Sequence, residues 1–439
     1  MKVFTHGIGG AQDLPISLPF ALAGGAAALA LSFAILVLAW REPRFDADTV
    51  GRLLPAGLAR AVDGGVVTWV LRAVGLAFAA YVGWAAVLGP DTAINPTFGV
   101  VFVLLWVGLV PLSLLLGPFY RAVNPLRTLH LLLSRVTGGD PDEGVVELPS
   151  WVGLWPAAFG IFAFTWLELV YPQSSYLAPV RLWFAVYAAV VLVGAAVFGE
   201  RWIRAADPFE AYSTLVSHLS VFGRRGDGRL VVRAPLQNLD GLPPVPGLLA
   251  LTGILLGSTA FDSFKESLTW LRLTSDLGVD KVLLDTLALL AFWLLVGGLF
   301  ALATLAAPAV EGVERGSLPL RFAPSLVPII VGYVVAHYLT LLVEYGQQTL
   351  VYLSDPMGRG DDLLGTADLQ VTYWLSRHQT FLAYSKVLAI VGGHVLGVVA
   401  AHDKAMKLLS RRHQLTGQLP LLMVMVGFTV SGLYLLLTV

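Results

Sequence analysis

Ten runs of about twenty mostly apolar residues recur along this chain, and that recurrence leaves its fold little freedom. A helix rises about 1.5 Å per residue, so about 20 apolar residues cross a hydrocarbon layer about 30 Å thick. Lipid offers no partner to a backbone amide, and a continuous apolar run satisfies its own amides only as a helix. The windows are 17–40, 66–89, 97–119, 151–171, 179–200, 245–262, 283–307, 322–345, 380–401 and 418–438, the sixth being the shortest. The expected class is therefore an all-α polytopic membrane protein, one transmembrane domain over 1–439 with about ten transmembrane helices.

Composition agrees. Of 439 residues, 56% are hydrophobic and 13% charged, whereas a soluble domain carries about a quarter charged residues. Twelve Trp and thirteen Tyr suit the two interfaces of a bilayer. The absence of Cys removes disulfides, thiolate metal sites and cysteine nucleophiles. No basic domain exists for nucleic acid to dock on. The first apolar run is of span length and lacks a basic region before it, so a cleavable leader is not expected.

Sidedness follows from Lys and Arg. The loops joining spans 1–2, 3–4, 5–6, 7–8 and 9–10 hold 19 of them, the opposite set with both termini holds 7 when Arg181, at the outer edge of the fifth window, is counted with it, and Arg72 and Lys386 lie within spans. Positive loops stay cytoplasmic, which places both termini outside a plasma membrane.

Two cytoplasmic connections share a motif. "RAVNPLRTLHLLLSRV" (121–136) and "RAADPFEAYSTLVSHL" (204–219) repeat Arg-Ala-x-Asn/Asp-Pro at a spacing of 83. Asn124 or Asp207 can cap a helix opened by Pro125 or Pro208, and both segments are expected as interfacial helices. Residues 223–244 read as a cytoplasmic loop with one short strand at most.

Ionisable groups inside a bilayer are costly and call for a reason. With the sidedness above, Glu168, Asp262, His337, Glu344 and Lys386 fall in the outer half, the tail adds His6 and Asp13, and His394 lies near the centre. Such a bias fits an outward-opening polar vestibule. His337 and Glu344, seven apart, share a helix face but stand about 10 Å apart along the axis, so any metal site must draw on several helices. His337, His394, Asp262 and His6 are the candidate ligands of a divalent metal, and Glu344, Glu168 and Lys386 the candidate catalytic groups. Structural readings stand beside each: a single intramembrane His is often a packing residue, Gly392, Gly393 and Gly397 serve close helix approach, and His402 reads as a solvated helix end. The acidic loop 354–368 reads as turns before it reads as a calcium site.

Several of these stretches carry a resemblance. "HGIGGAQDLPISLP" (6–19), "WLELVYP" (166–172), "GSTAFDSF" (257–264), "SLVPIIVGYVVAHYLTLLVEYGQ" (325–347), "SDPMGRGDDLLGTAD" (354–368) and "GHVLGVVAAHDKA" (393–405) resemble bacterial integral membrane proteins of the fenitrothion hydrolase type. The resemblance implies hydrolysis of organophosphorus triesters, apolar small molecules that reach a site through the lipid bilayer. The same residues also admit a proton- or cation-coupled secondary transporter, and a structural subunit of an envelope complex needs no vestibule at all.

Overall fold

The computed structural model describes residue 14 and residues 16–438, so His6 and Asp13 lie outside the described residues. Seven helices among them are long and apolar enough to cross a membrane: Leu18–Ala39, Gly65–Leu88, Leu177–Phe198, Lys281–Leu305, Arg315–Ser354, Gln379–Leu408 and Thr416–Thr438. Six of them leave more than half of their most apolar stretch unburied, whereas Arg315–Ser354 is 72% buried. Gly65–Leu88 is 11% buried over its most apolar stretch, with Val66 and Leu88 bare at 79% and 68%, a pattern stable only with lipid as solvent.

Of the ten expected spans, seven are helices of sufficient length and apolarity, or eight if Pro96–Leu105 and Leu109–Leu116, bent by 46°, count as one. Chemistry explains the shortfall. Pro111 cannot donate to the carbonyl of residue 107, and the chain before it widens into a π-helical stretch, Val100–Leu105, where Trp106 N donates to Val101 O and Gly108 N to Val103 O. The fourth window holds a helix of only 15 residues, Trp155–Leu169. The sixth holds Leu248–Lys265, whose last turn carries Asp262, Ser263 and Lys265 in place of apolar residues.

Packing divides the chain into two compact units. One comprises Gly51–Arg233 and Leu341–Thr372. Its core is aromatic: Phe164 lies 5.1 Å from Trp106, 5.4 Å from Trp183 and 5.3 Å from Phe209, ring centre to ring centre. The segment expected along the membrane surface, Pro208–Ser217, is instead buried along almost its whole length, because Phe209, Tyr212, Leu215 and Val216 point into that core. Its counterpart Pro125–Thr137 is buried only in its first half. The 223–244 loop also gains structure. Strands β1 (Arg52–Leu53), β2 (Phe222–Arg224) and β3 (Leu230–Val232) form an antiparallel sheet in the order β1-β3-β2, with Val231 buried at its centre. Gly228, at φ +81°, makes the hairpin turn between β2 and β3.

The second unit holds Ala234–Thr340 and the residues from Tyr373 onward, with the Leu18–Ala39 helix. Small residues let its helices meet. A Cβ on Gly393 would lie 2.6 Å from Pro328 O and one on Gly397 2.8 Å from Ser325 O, so only glycine fits there, whereas Gly392 faces open space. Gly257 gives Lys281–Leu305 the same close approach, at 2.9 Å from Phe292 O. The far end of Gln379–Leu408 is stapled to the chain after Leu18–Ala39. Asp403 accepts from Trp40 Nε1 and the Arg44 and Phe45 amides, and His402, far from being solvated, is buried between Gln418 and the Trp40 carbonyl.

Candidate functional site

The last turn of Leu248–Lys265 and the last turns of Val327–Thr340 meet within the second unit, and their polar residues meet with them. Asp262 sits opposite two consecutive side chains, His337 and Tyr338, whose rings stand at 90° to each other with centres 4.5 Å apart. His337 Nε2 is 2.9 Å from Asp262 Oδ2, and the Tyr338 hydroxyl donates to the same oxygen at 3.0 Å. Lys265 Nζ, one turn along, lies 2.9 Å from Asp262 Oδ1. On the other side of the imidazole, Ser263 Oγ is 3.2 Å from Nδ1. Asp262 is 1% exposed and Ser263 and His337 6% each, so the group works out of water's reach.

The Tyr338 phenol donates to Oδ2 and the Lys265 ammonium stands in ion-pair contact with Oδ1, a setting that favours an ionised carboxylate accepting from His337 Nε2. In the neutral tautomer with hydrogen on Nε2, the Nδ1 lone pair faces the Ser263 hydroxyl, whose other neighbour is the Thr259 carbonyl at 3.5 Å. A carboxylate, an imidazole and a hydroxyl in that order form the chain by which serine nucleophiles are activated, here with the two ring nitrogens exchanged relative to the chymotrypsin arrangement.

Of the expected site residues, the structure brings together Asp262 and His337. Glu168 and Glu344 belong to the other compact unit, where Glu168 is half-buried and Glu344 buried. Glu344 lies within a π-helical turn, Leu341–Tyr345, that follows the α-helix carrying His337. Lys386 is buried and engaged on Gln379–Leu408. On the same helix, His394 Nδ1 is held by the Ile390 carbonyl, its ring edge meets Tyr333 at 5.8 Å, and its buried Nε2 has no hydrogen-bond partner.

Of the expected metal ligands, His6 lies outside the described residues, and His337, His394 and Asp262 are not gathered as a ligand set. Among the described residues no three His, Asp or Glu side chains are placed to hold a metal ion, and both nitrogens of His337 already face Asp262 and Ser263. In the acidic loop, Asp355 accepts from the Arg359 and Gly360 amides and Asp362 from Ala367, so these carboxylates shape turns. Ser263 was the residue that sequence reasoning passed over; the signal available was its place beside an intramembrane Asp in "AFDSF".

Comparison of the chain with protein-family models, with curated proteins and with solved structures finds no match.

Proposed function

We propose that this chain is a membrane-embedded hydrolase of apolar esters, organophosphorus triesters foremost, with Ser263 as nucleophile, His337 as general base and Asp262 as the group that orients the imidazole. The observation that carries the reading is the Ser263–His337–Asp262 chain at 3.2 and 2.9 Å in a buried setting. The resemblance of the surrounding segments to the fenitrothion hydrolase type points the same way.

In the reaction, Nδ1 takes the Ser263 proton as Oγ attacks phosphorus. The bond from phosphorus to the aryl oxygen breaks, and the imidazolium returns the proton to the leaving aryloxide. Water then attacks the phosphoryl-serine with His337 as base, releasing a dialkyl phosphate and restoring the serine. No metal takes part in this scheme. Ser263 and His337 are so deeply buried that an ester reaches them by displacing neighbouring side chains, which suits a substrate dissolved in the bilayer.

The wider setting is part of the same reading. The seven long apolar helices, the bent pair Pro96–Leu105 and Leu109–Leu116, and the shorter Trp155–Leu169 and Leu248–Lys265 together make ten crossings of a bacterial plasma membrane, with both termini outside, as the 19-to-7 division of basic residues favours. The lipid bilayer is then both solvent and route of substrate entry.

The test is covalent trapping. Purified protein in detergent is treated with a fluorophosphonate, and the labelled peptide is identified by mass spectrometry. Labelling at Ser263, lost in Ser263→Ala and in His337→Ala and indifferent to chelator, is the expected result. Triester turnover that persists in Ser263→Ala, or absence of any label, overturns the reading.

A second reading rests on the discontinuous helices. The bend of 46° at 105–109 and the π-helical turn at Leu341–Tyr345 are of the kind that transporters use to move a substrate past a fixed site. In that case Asp262 and His337 pass protons and no ester is cleaved. Proton-driven uptake into proteoliposomes, abolished by His337→Ala and unaffected by Ser263→Ala, is what this reading expects.

A further inference from the structure

The two repeated Arg-Ala-x-Asx-Pro segments meet each other inside the first unit. Asn124 Nδ2 donates to Asp207 Oδ2 at 2.8 Å and to Glu210 Oε2 at 3.0 Å. Arg127, three residues after Asn124, forms a two-pronged pair with Glu210, three residues after Asp207. Each position therefore touches its own counterpart in the other copy, across a separation of 83 residues in both cases. Self-pairing of equivalent positions is the mark of a local twofold axis. The caps are equivalent as well. Asn124 Oδ1 accepts from the Leu126 and Arg127 amides, and Asp207 Oδ1 from the Phe209 and Glu210 amides, each just before a helix that begins with proline.

The copies differ in charge, and the difference sits on the axis. Asp207 and Glu210 are both fully buried carboxylates, and Arg127 is the one guanidinium buried beside them. Around Asp207 stand Asn124, the Tyr187 hydroxyl donating to Oδ2 at 2.8 Å, the Tyr120 phenol, Glu210 and Arg127. Beyond these, Glu200 pairs with Arg127 and, at 3.1 Å, with the half-exposed Arg121, and the exposed Arg204 lies nearby. Two carboxylates that share a single amide group in a buried site repel each other, and a proton on one relieves the repulsion. Arg127 already compensates Glu210, which leaves Asp207 as the position for that proton.

We propose that Asp207 is a proton-binding site on the axis of this internal repeat, neutral and equivalent to Asn124 when it holds a proton and charged when it does not. The backbone caps run through Oδ1 in either state, so the proton comes and goes at Oδ2, where the Tyr187 hydroxyl turns from donor to acceptor, without unwinding the helix that follows. Burial first, and then the neighbouring Glu210 charge, push the Asp207 carboxyl up to about 6, a range in which the site exchanges its proton near neutral pH. This site lies in the other compact unit from Ser263 and His337, and its argument does not depend on theirs.

The test is infrared difference spectroscopy of the purified full chain, titrated from mildly alkaline to mildly acidic pH. The wild type should develop the carbonyl stretch of a buried protonated carboxyl, and that band should persist in Asp262→Asn. It should vanish in Asp207→Asn, which keeps the cap because asparagine already serves at position 124. The exchange Asn124→Asp with Asp207→Asn should restore a band by moving the acid to the other copy, and it carries the test if the single variant fails to fold. A band unchanged by Asp207→Asn, or no band in the wild type, overturns the proposal.

Discussion

Ser263 Oγ and Asp262 Oδ2 stand on opposite sides of one imidazole, 3.2 Å from Nδ1 and 2.9 Å from Nε2 of His337, although they belong to consecutive residues of one helix. Neighbours on a helix point about 100° apart, so a single ring laid across the helix end reaches both. The consequence is directional. Asp262 is the acceptor that holds the ring with its lone pair toward the serine, and this is the property to test first. Asp262→Asn keeps the shape but offers an amide in place of the carboxylate. Triester turnover should fall by about 10⁴-fold, as in triads where the orienting acid is amidated. Tyr338→Phe removes one donor to Asp262 and should cost less than about tenfold, a modest effect expected of one neutral hydrogen bond. Equal turnover by Asp262→Asn and wild type, read as single-turnover rates, would show that the ring's orientation does no chemistry.

The helix that carries His337 is located by glycines two turns and more away. A Cβ on Gly393 would meet Pro328 O at 2.6 Å and the Gly332 Cα at 3.2 Å, both backbone atoms with little room to yield. Gly393→Ala should therefore destabilise the protein by about 1–3 kcal/mol and lower turnover, because it pushes Val327–Thr340 away from its neighbour. Gly392→Ala, with nothing within 4 Å, should be neutral or stabilising by up to about 1 kcal/mol and leave turnover unchanged. Thermal melts and rates on the two variants check the contrast, and a matched response from both would remove the close-packing argument.

What the sequence disclosed and withheld divides along a physical line. Hydrophobic run length located the helices and flagged Asp262 and His337, because both depend on the cost of moving groups into lipid, which is written in each segment. The Asx-Pro caps were also readable, since a cap is satisfied within three residues of itself. Pairing between segments was not readable. Nothing local distinguishes Ser263 from a packing serine, and nothing local says that Pro208–Ser217 is buried while Pro125–Thr137 is half bare. The π-helical turns are not legible, because apolar periodicity changes little when a single residue is inserted, as at Leu341–Tyr345.

Asp207 gives a pH dependence whose sign can be worked out. Its carboxyl is pushed up from 3.8 to about 6 in the folded chain, so the native state binds the proton more tightly than the unfolded one. The stability this contributes is fully present below the unfolded value and is lost as pH rises through about 6. Over that window, wild type should lose on the order of 2–3 kcal/mol relative to Asp207→Asn, which has no proton to release. Denaturant midpoints of the two proteins, compared at several pH values in one detergent, provide the measurement. Parallel curves would mean that Asp207 does not titrate there.

Arg127 and Glu210 offer the strictest test of the repeat axis, because equivalent positions on such an axis should be exchangeable. Arg127 is held by both Glu210 and Glu200, with its own carboxylates pulling the guanidinium above its ordinary range against the opposing effect of burial. Arg127→Glu alone adds a fourth carboxyl to Asp207, Glu210 and Glu200 with no buried cation, and Glu210→Arg alone places two guanidinium groups together. Each should cost about 3–5 kcal/mol, the loss seen when one partner of a buried ion pair is removed. The double exchange returns one cation and one carboxylate to the axis. If the axis is real, it should recover most of that loss, leaving the Glu200 contact and the Asn124 hydrogen bond to position 210 as the remaining differences. A double-mutant cycle on thermal or denaturant stability gives the coupling directly. Additive losses would mean that the two segments resemble each other in sequence without being equivalent in space.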